Sequence, residues 1–516
     1  MLVFLYSCQK DAINTNQPSN ESLSRSKPDK MQMDDIIFYA LGEGNKLDKF
    51  STDKSGERIN SVTIKGLQIN ETIMAIDFRP ATGQLYGLGS TSRIYVINLQ
   101  TGAARMIGAG AFSPALSGTI AGFDFNPTVD RIRIVTSTGQ NLRANPETGT
   151  VAVVDGPING VAGAMITSVA YTNSMAGAAS TVLFDIDVAT NKLYKQNPPN
   201  NGTLEEVGSL NIDVEGEGGF DIAVQNSNSY GNFSENSANF KNYTALAIYQ
   251  VGKKSTLLSI DLETGKAKKI EKFKTDAKYY GIAIPTPPVA YAVNGSNLLI
   301  FNPANSSAII SKPITGLQAG EMLVGIDFRP LNGQIYGIGS NSRIYTLNAS
   351  SGAAAFVATL SVPLMGTSFG VDFNPVVDRI RVVSNTGQNL RINPVDGVTI
   401  SDGGLNPGMP AVTAAAYENN FAGTMATKLF VIDTGNDILY VQNPPNAGTL
   451  VPVGQLGMNV TAMNGFDIGG TSNMAYAVFT SGSNTNLYVL NKATGNAVMA
   501  RSLSGSVMGF TIGLGF

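Results

Sequence analysis

"FDFNPTVDRIRIVTSTGQNLRANP", from Phe123 to Pro146, returns as "VDFNPVVDRIRVVSNTGQNLRINP", from Val371 to Pro394, with 18 of 24 positions identical. Most of the six differences exchange small or apolar side chains, so the chain carries a duplicated module. The stretch reads as short strands: "DRIRIV" and "QNLRAN" alternate apolar with polar residues and are separated by turn-forming Asn-Pro and Thr-Gly. Working outward, "AIDFRPATGQLYGLGSTSRIYVINLQTGAARMIG" (Ala75 to Gly108) splits into four such segments at Pro-Ala-Thr-Gly, Ser-Thr-Ser and Leu-Gln-Thr-Gly. The pattern then repeats as "GFDF", "DRIRIV", "QNLRAN", "VAVVD", as "SVAY", "TVLFDID", "KLYKQN", "LEEVG", and as "GFDIAV", "ALAIYQ", "TLLSID", "AKKIEKF". Four-strand units recurring roughly every 40 to 50 residues predict an all-β chain of β-propeller blades, each burying both faces against its neighbours.

The duplication extends over most of the chain. Ile76 recurs as Ile326, a shift of 326 − 76 = 250, Leu183 as Leu429 (429 − 183 = 246) and Ala245 as Ala475 (475 − 245 = 230). The larger step marks an insertion in the first copy, within Asn226 to Lys241, whose Gly, Asn and Ser predict a surface loop. Five units fit each copy if "FYALG", "NKLDKF" and "SVTI", between Phe38 and Ile64, are three strands of a first blade. "YGIAIP" (Tyr280 to Pro285) and "GFTIGLGF" (Gly509 to Phe516) are single strands with no partner following them, and each completes the first blade of its own copy. The expectation is two tandem five-bladed propellers, 38–286 and 287–516, joined through "PTPPV"; the alternative is one ten-bladed ring. Closure by overlapping termini leaves no exposed sheet edge.

Composition narrows the function. With 35 Lys+Arg against 38 Asp+Glu, nothing basic is offered to a nucleic acid, and the complete absence of His removes Ser-His-Asp and Cys-His catalysis and every His-ligated metal site. The only cysteine, Cys8, ends "MLVFLYSC", which matches the end of a lipoprotein signal, with Cys8 as the lipidated residue; the basic segment that should precede it is missing, as in a chain that starts downstream of its true start or in a minimal signal. "CQKD" resembles the start of Bacteroidetes lipoproteins displayed at the surface. Residues 1–8 therefore read as a signal remnant and 9–37 as a polar tether, placing the protein at the cell envelope on the outer membrane, held by lipid alone.

The strings "FDFNPTVDRIRIVTSTGQNLRANPETG" and "QLYGLGSTSRIYVINLQTGAA", with their second copies, resemble the bacterial exported family known as domain of unknown function 4394, over nearly all of Phe38 to Phe516. Family members with a single copy imply that one copy folds alone. The resemblance carries no activity, substrate or catalytic residue.

Asp77, Asp124 and Asp221, with Asp327, Asp372 and Asp467, occupy equivalent places on the first strands, and Arg79 and Arg329 follow two residues after Asp77 and Asp327. Side chains two apart on a strand share a face, so Asp77 and Arg79 address one seam between sheets, while Arg131 with Arg133, and Asn141 with Arg143, do the same on later strands; Arg379, Arg381 and Arg391 are their second-copy counterparts. The favoured reading is structural, with Asp124 paired to Arg131 or Arg133 and Asp372 to Arg379 or Arg381, because charges between sheets need partners. The other is a polar pocket for an anionic or sugar-like ligand. "DIDVATN" (Asp185 to Asn191) has oxygen donors at calcium-like spacing, yet its copy places Val431 where Asp185 stands, so an Asx turn is expected instead of a metal site. No catalytic residue, metal or cofactor is expected. The module reads as non-catalytic, binding an extracellular glycan, peptide or protein; the alternative is a hydrolase or lyase acting on an extracellular glycan through paired carboxylates.

Overall fold

The computed structural model describes residues 35–54, 56–224, 240, 243–274, 277–305, 307–461, 463–503 and 505–516. Cys8, the tether up to residue 34 and, apart from Phe240, the inserted loop lie outside the described residues. Within them the chain forms ten four-stranded antiparallel sheets and no α-helix. Sheet 2 consists of Ile73–Phe78, Leu85–Gly89, Arg93–Ile97 and Ala104–Ile107, the four segments expected between Ala75 and Gly108. Sheets 3, 4 and 5 follow as runs of consecutive strands beginning with Ala121–Asn126, Ile166–Tyr171 and Glu215–Ile222. In the second copy, sheets 7 to 10 begin with Leu323–Arg329, Phe369–Asn374, Val412–Tyr417 and Asn464–Ile468.

Two sheets are assembled from distant segments. Sheet 1 combines Ile37–Gly42, Lys46–Ser51 and Asn60–Thr63 with Tyr279–Ala283, in the register Tyr39 to Ala283 and Ala40 to Ile282. Sheet 6 combines Ala290–Asn294, Asn297–Phe301 and Ile310–Pro313 with Gly509–Ile512, in the register Ala290 to Ile512 and Ala292 to Phe510. Each copy thus pairs its last strand with its own opening strands, as the unpartnered segments predict. Had the copies exchanged these strands, the chain would cross from one half to the other twice.

Apolar side chains fill the space between consecutive sheets. Tyr86, Leu88 and Ile94 of sheet 2 pack on Phe123, Phe125, Ile132 and Ile134 of sheet 3, and Phe430 and Ile432 of sheet 9 on Phe466 and Ile468 of sheet 10. Burying each such side chain contributes roughly 1.5–3 kcal/mol before entropy is counted. First strands approach closely where a side chain is missing: a Cβ on Gly370 would stand 2.5 Å from the Ala415 nitrogen of the next first strand, and one on Gly509 would stand 2.8 Å from the Gly325 Cα. The last strand of the second copy therefore also abuts the first strand of sheet 7.

The copies share an interface. Ala81 and Ala176 of the first join a buried cluster with Val289, Tyr291, Leu298, Ile300 and Leu323 of the second. Tyr291 donates to the Ala81 carbonyl at 3.1 Å, Gly515 N–H to Thr82 O at 2.8 Å, and the Phe516 ring fills the space beside Gly83. Residues 36–516 accordingly form one compact unit.

Candidate functional site

Six aspartates converge in two groups. Asp77, Asp124 and Asp221 each direct one carboxylate oxygen to a point where all three lie within 4.8 Å of one another, and Asp327, Asp372 and Asp467 do the same in the second copy. All six are buried. Each is a strut to the first or closing strand of the neighbouring sheet: Asp77 Oδ2 accepts Phe125 N–H (2.8 Å), Asp124 Oδ1 that of Tyr171 (3.1 Å) and Asp221 Oδ2 that of Ile284, just past the closing strand (2.6 Å). The second copy repeats the bonds with Phe373 on Asp327, Tyr417 on Asp372 and Ile512 on Asp467, at 2.8, 3.0 and 2.7 Å. Four of the six also accept the N–H of the following residue, Phe78, Ile222, Phe328 or Ile468. At the closing strand the copies differ: Thr511 places its hydroxyl 2.8 Å from Asp327 Oδ1 and 2.9 Å from Asp467 Oδ2, whereas the strand closing the first copy carries Ala283 beside the Ile284 N–H.

These contacts correct the expected pairing. Among the described residues, none of the six aspartates forms an ion pair with Arg131, Arg133, Arg379, Arg381 or any other cation. The donors are main-chain N–H groups of the adjoining strand, and the arginines reach elsewhere. Burial raises all six carboxyls: Asp77 and Asp124 well above the usual range with the Asp221 charge adding to it, Asp327 and Asp372 likewise with Asp467, and Asp221 and Asp467 to about 7. A sealed group of this kind offers no open pair of carboxylates to a glycosidic substrate.

Arg79 runs from the end of its strand to Asp130 on the first turn of sheet 3, through Nε at 2.9 Å and through a second, shorter bond, and to Glu147 at 2.8 Å. It shares that seam with Asp77, as expected. Arg329 makes the equivalent fork to Asp378. Arg133 is buried against Asp155 (2.6 Å), Asn141 (2.8 Å), the Tyr171 hydroxyl (3.2 Å) and Asn200 of the next sheet (2.7 Å), and Arg143 forks onto the same Asp155. Arg381 and Arg391 rebuild this cluster with Asp402, Asn389, Tyr417 and Asn446. Arg131 and Arg379 instead donate to the carbonyls of Asp130 and Asp378, the residues just before them. The carboxylates missed by spacing arguments, Asp130, Asp155, Asp378 and Asp402, were present in both copies of the sequence, in "VDR" and in the "DG" that follows the fourth strand.

The turn at Asp187 accepts N–H from Met165 and Ala189 and the Thr190 hydroxyl, an Asx turn. Asp185 beside it is fully buried with neither oxygen bonded, and burial lifts its carboxyl well above the usual range. Between the first strands of the second copy lies a cavity of ≈ 10 Å³, about what one water needs, lined by Ile326, Val371, Thr413, Asn464, Phe466 and Phe510 among others.

The model of the domain of unknown function (DUF4394) matches residues 46–283 and 297–511. None of the curated proteins matches the chain. Among solved structures, PorZ, a surface component of the type-IX secretion system of Porphyromonas gingivalis, aligns at 10% identity over 89% of this chain and 56% of its own, with a TM-score of 0.26. The chain thus spans just over half of that structure. The extracellular domain assigned to a one-component system of B. thetaiotaomicron aligns at 10% identity over 93% and 81%, TM-score 0.25, and a computationally designed protein, Ika8, at 10% over 83% and 99%, TM-score 0.21.

Proposed function

As the chain belongs to the family described as domain of unknown function 4394, in two tandem copies, we propose that each copy is a five-bladed β-propeller and that the pair is a rigid, non-catalytic binding module of the cell envelope. The observation that carries this reading is that each copy's last strand completes its own first sheet. A ring so closed holds its inter-strand loops in fixed positions around one rim, the arrangement with which propellers present binding surfaces. The buried arginines and aspartates are spent on joining sheets, which leaves the rim loops to meet a ligand. Its ligand class is an extracellular glycan, peptide or protein, and the anchor is a lipid on Cys8.

Binding of the purified protein to a glycan array and to isolated surface proteins tests the module: saturable binding to one class supports it, and turnover of a polysaccharide by the protein would replace it with the hydrolase reading. For the anchor, Cys8→Ser expressed behind a functional export signal should leave the detergent phase for the aqueous one; a variant that stays with membranes contradicts lipidation.

A further inference from the structure

Three carboxyl groups converge in one buried spot, and no cationic side chain among the described residues pairs with them. Main-chain N–H groups stabilise individual oxygens but bring no net charge. The first copy has no more than these N–H groups, and the second adds one hydroxyl, Thr511. Two further observations come from the second copy. Asp372 uses Oδ1 for the Tyr417 N–H, while its Oδ2 is buried with no partner at all. The residues immediately before the three aspartates, Ile326, Val371 and Phe466, line the small cavity between the first strands together with Asn464, whose side-chain oxygen is likewise buried and unbonded. An unbonded buried carboxylate oxygen is destabilising, the more so when charged, unless something occupies the position it faces.

We propose that each aspartate triad holds one hard divalent cation of the calcium class, so that the chain binds two. Only oxygen donors are present, which selects calcium or magnesium over softer metals. Calcium takes six to eight oxygens at about 2.3–2.6 Å, so oxygens on opposite sides of one ion lie up to about 5 Å apart; one oxygen from each aspartate of a triad lies within 4.8 Å of the other two, inside that span. A carboxylate that gives one oxygen to a main-chain N–H and the other to the ion suits Asp124 and Asp372. The copies have diverged at other acids, the buried Asp185 against Val431 and the half-buried Glu147 against Val395, while all three aspartates are present in both.

The test uses the full chain, stripped with chelator, dialysed against calcium and analysed for bound metal, with thermal unfolding in calcium and in chelator. The expected result is two calcium ions per chain and a higher melting temperature in calcium. Asp372→Asn lowers the stoichiometry to one, and Asp124→Asn with Asp372→Asn removes it. Absence of bound calcium together with one melting temperature in both buffers overturns the proposal, and so does calcium binding that both substitutions leave unchanged. Should the double variant fail to fold, the stoichiometry of the unsubstituted chain and of Asp372→Asn decides. Magnesium alone retained at two per chain, with no calcium, overturns the calcium class.

Discussion

Arg79 and Arg329 are the same residue written twice, and they live in different surroundings. Both reach the aspartate of the neighbouring turn, Asp130 or Asp378, and a tyrosine hydroxyl, Tyr86 or Tyr336. Arg79 has in addition Glu147 and the carbonyl of Gly333, which belongs to the second copy, and none of its side chain is exposed. In the second copy Val395 stands where Glu147 does, and the Arg329–Asp378 pair keeps 12% and 31% of its side chains open to water. Burial works against the charge of Arg79, yet Asp130 and Glu147 hold its pKa well above the usual value. One motif thus serves as an interface bolt in the first copy and as an ordinary rim pair in the second. The lesson is that duplication conserved the fork and docking of the two copies set its strength.

The largest effect expected from this contrast is on stability when each arginine is removed. Arg79→Ala strands Asp130 and Glu147 in a sealed interface and should cost on the order of 3–5 kcal/mol, whereas Arg329→Ala, at a partly hydrated pair, should cost about 1 kcal/mol or less. Denaturant unfolding of the two variants measures it; equal losses would mean that the interface does not seal Arg79.

A second contrast lies at Asp185 and Val431. The buried, unbonded Asp185 carboxyl penalises the fold, so Asp185→Val should gain roughly 1–3 kcal/mol at neutral pH and Val431→Asp should lose about as much. Because folding raises the pKa of Asp185, the protonated form is the one the fold accepts: its penalty is small below the unfolded-state value near 4 and grows as pH rises toward the folded value. The gain from Asp185→Val should therefore be smaller at pH 4 than at pH 7. A gain independent of pH would show that the carboxyl is not the cause.

The smallest effect belongs to the closing strands. Thr511→Ala removes one shared hydroxyl and makes the second copy resemble the first, where Ala283 stands beside the same strut; the expected cost is about 1 kcal/mol, read as a small drop in melting temperature. No drop would mean that Thr511 adds nothing to the main-chain bonds on Asp327 and Asp467.

Strand positions were legible because they are written locally, in alternation broken by Gly, Asn and Pro. "YGIAIP" and "GFTIGLGF" announced their role by lacking followers, and both pair where their own copies begin. The partners of the aspartates were not legible. Asp124 and Arg133 are directly opposite on paired strands, which makes an ion pair look natural, but the Asp124 side chain turns to the Tyr171 N–H of the next sheet and Arg133 to Asp155 and Asn200. A main-chain donor leaves no trace in residue spacing. The one available sign was "GFDF", "GVDF" and "GFDI", where the glycine two before the aspartate lets neighbouring first strands close to contact. The depth of Arg79 was hidden for a related reason, since the carbonyl that seals it comes from residue 333, in the other copy.

Closure of each copy upon itself is open to a direct check with a cysteine pair. In a Cys8→Ser background, Ala40→Cys with Ile282→Cys places two thiols on directly paired residues of sheet 1, and Ala40→Cys with Phe510→Cys places them where a single ten-bladed ring would bring the chain ends together. Paired strand residues have Cα atoms about 4.5–5.5 Å apart, within reach of a disulfide. Peptide mapping after mild oxidation should find the link between positions 40 and 282 and none between 40 and 510. A link between 40 and 510, with 40 and 282 left reduced, would contradict closure within each copy.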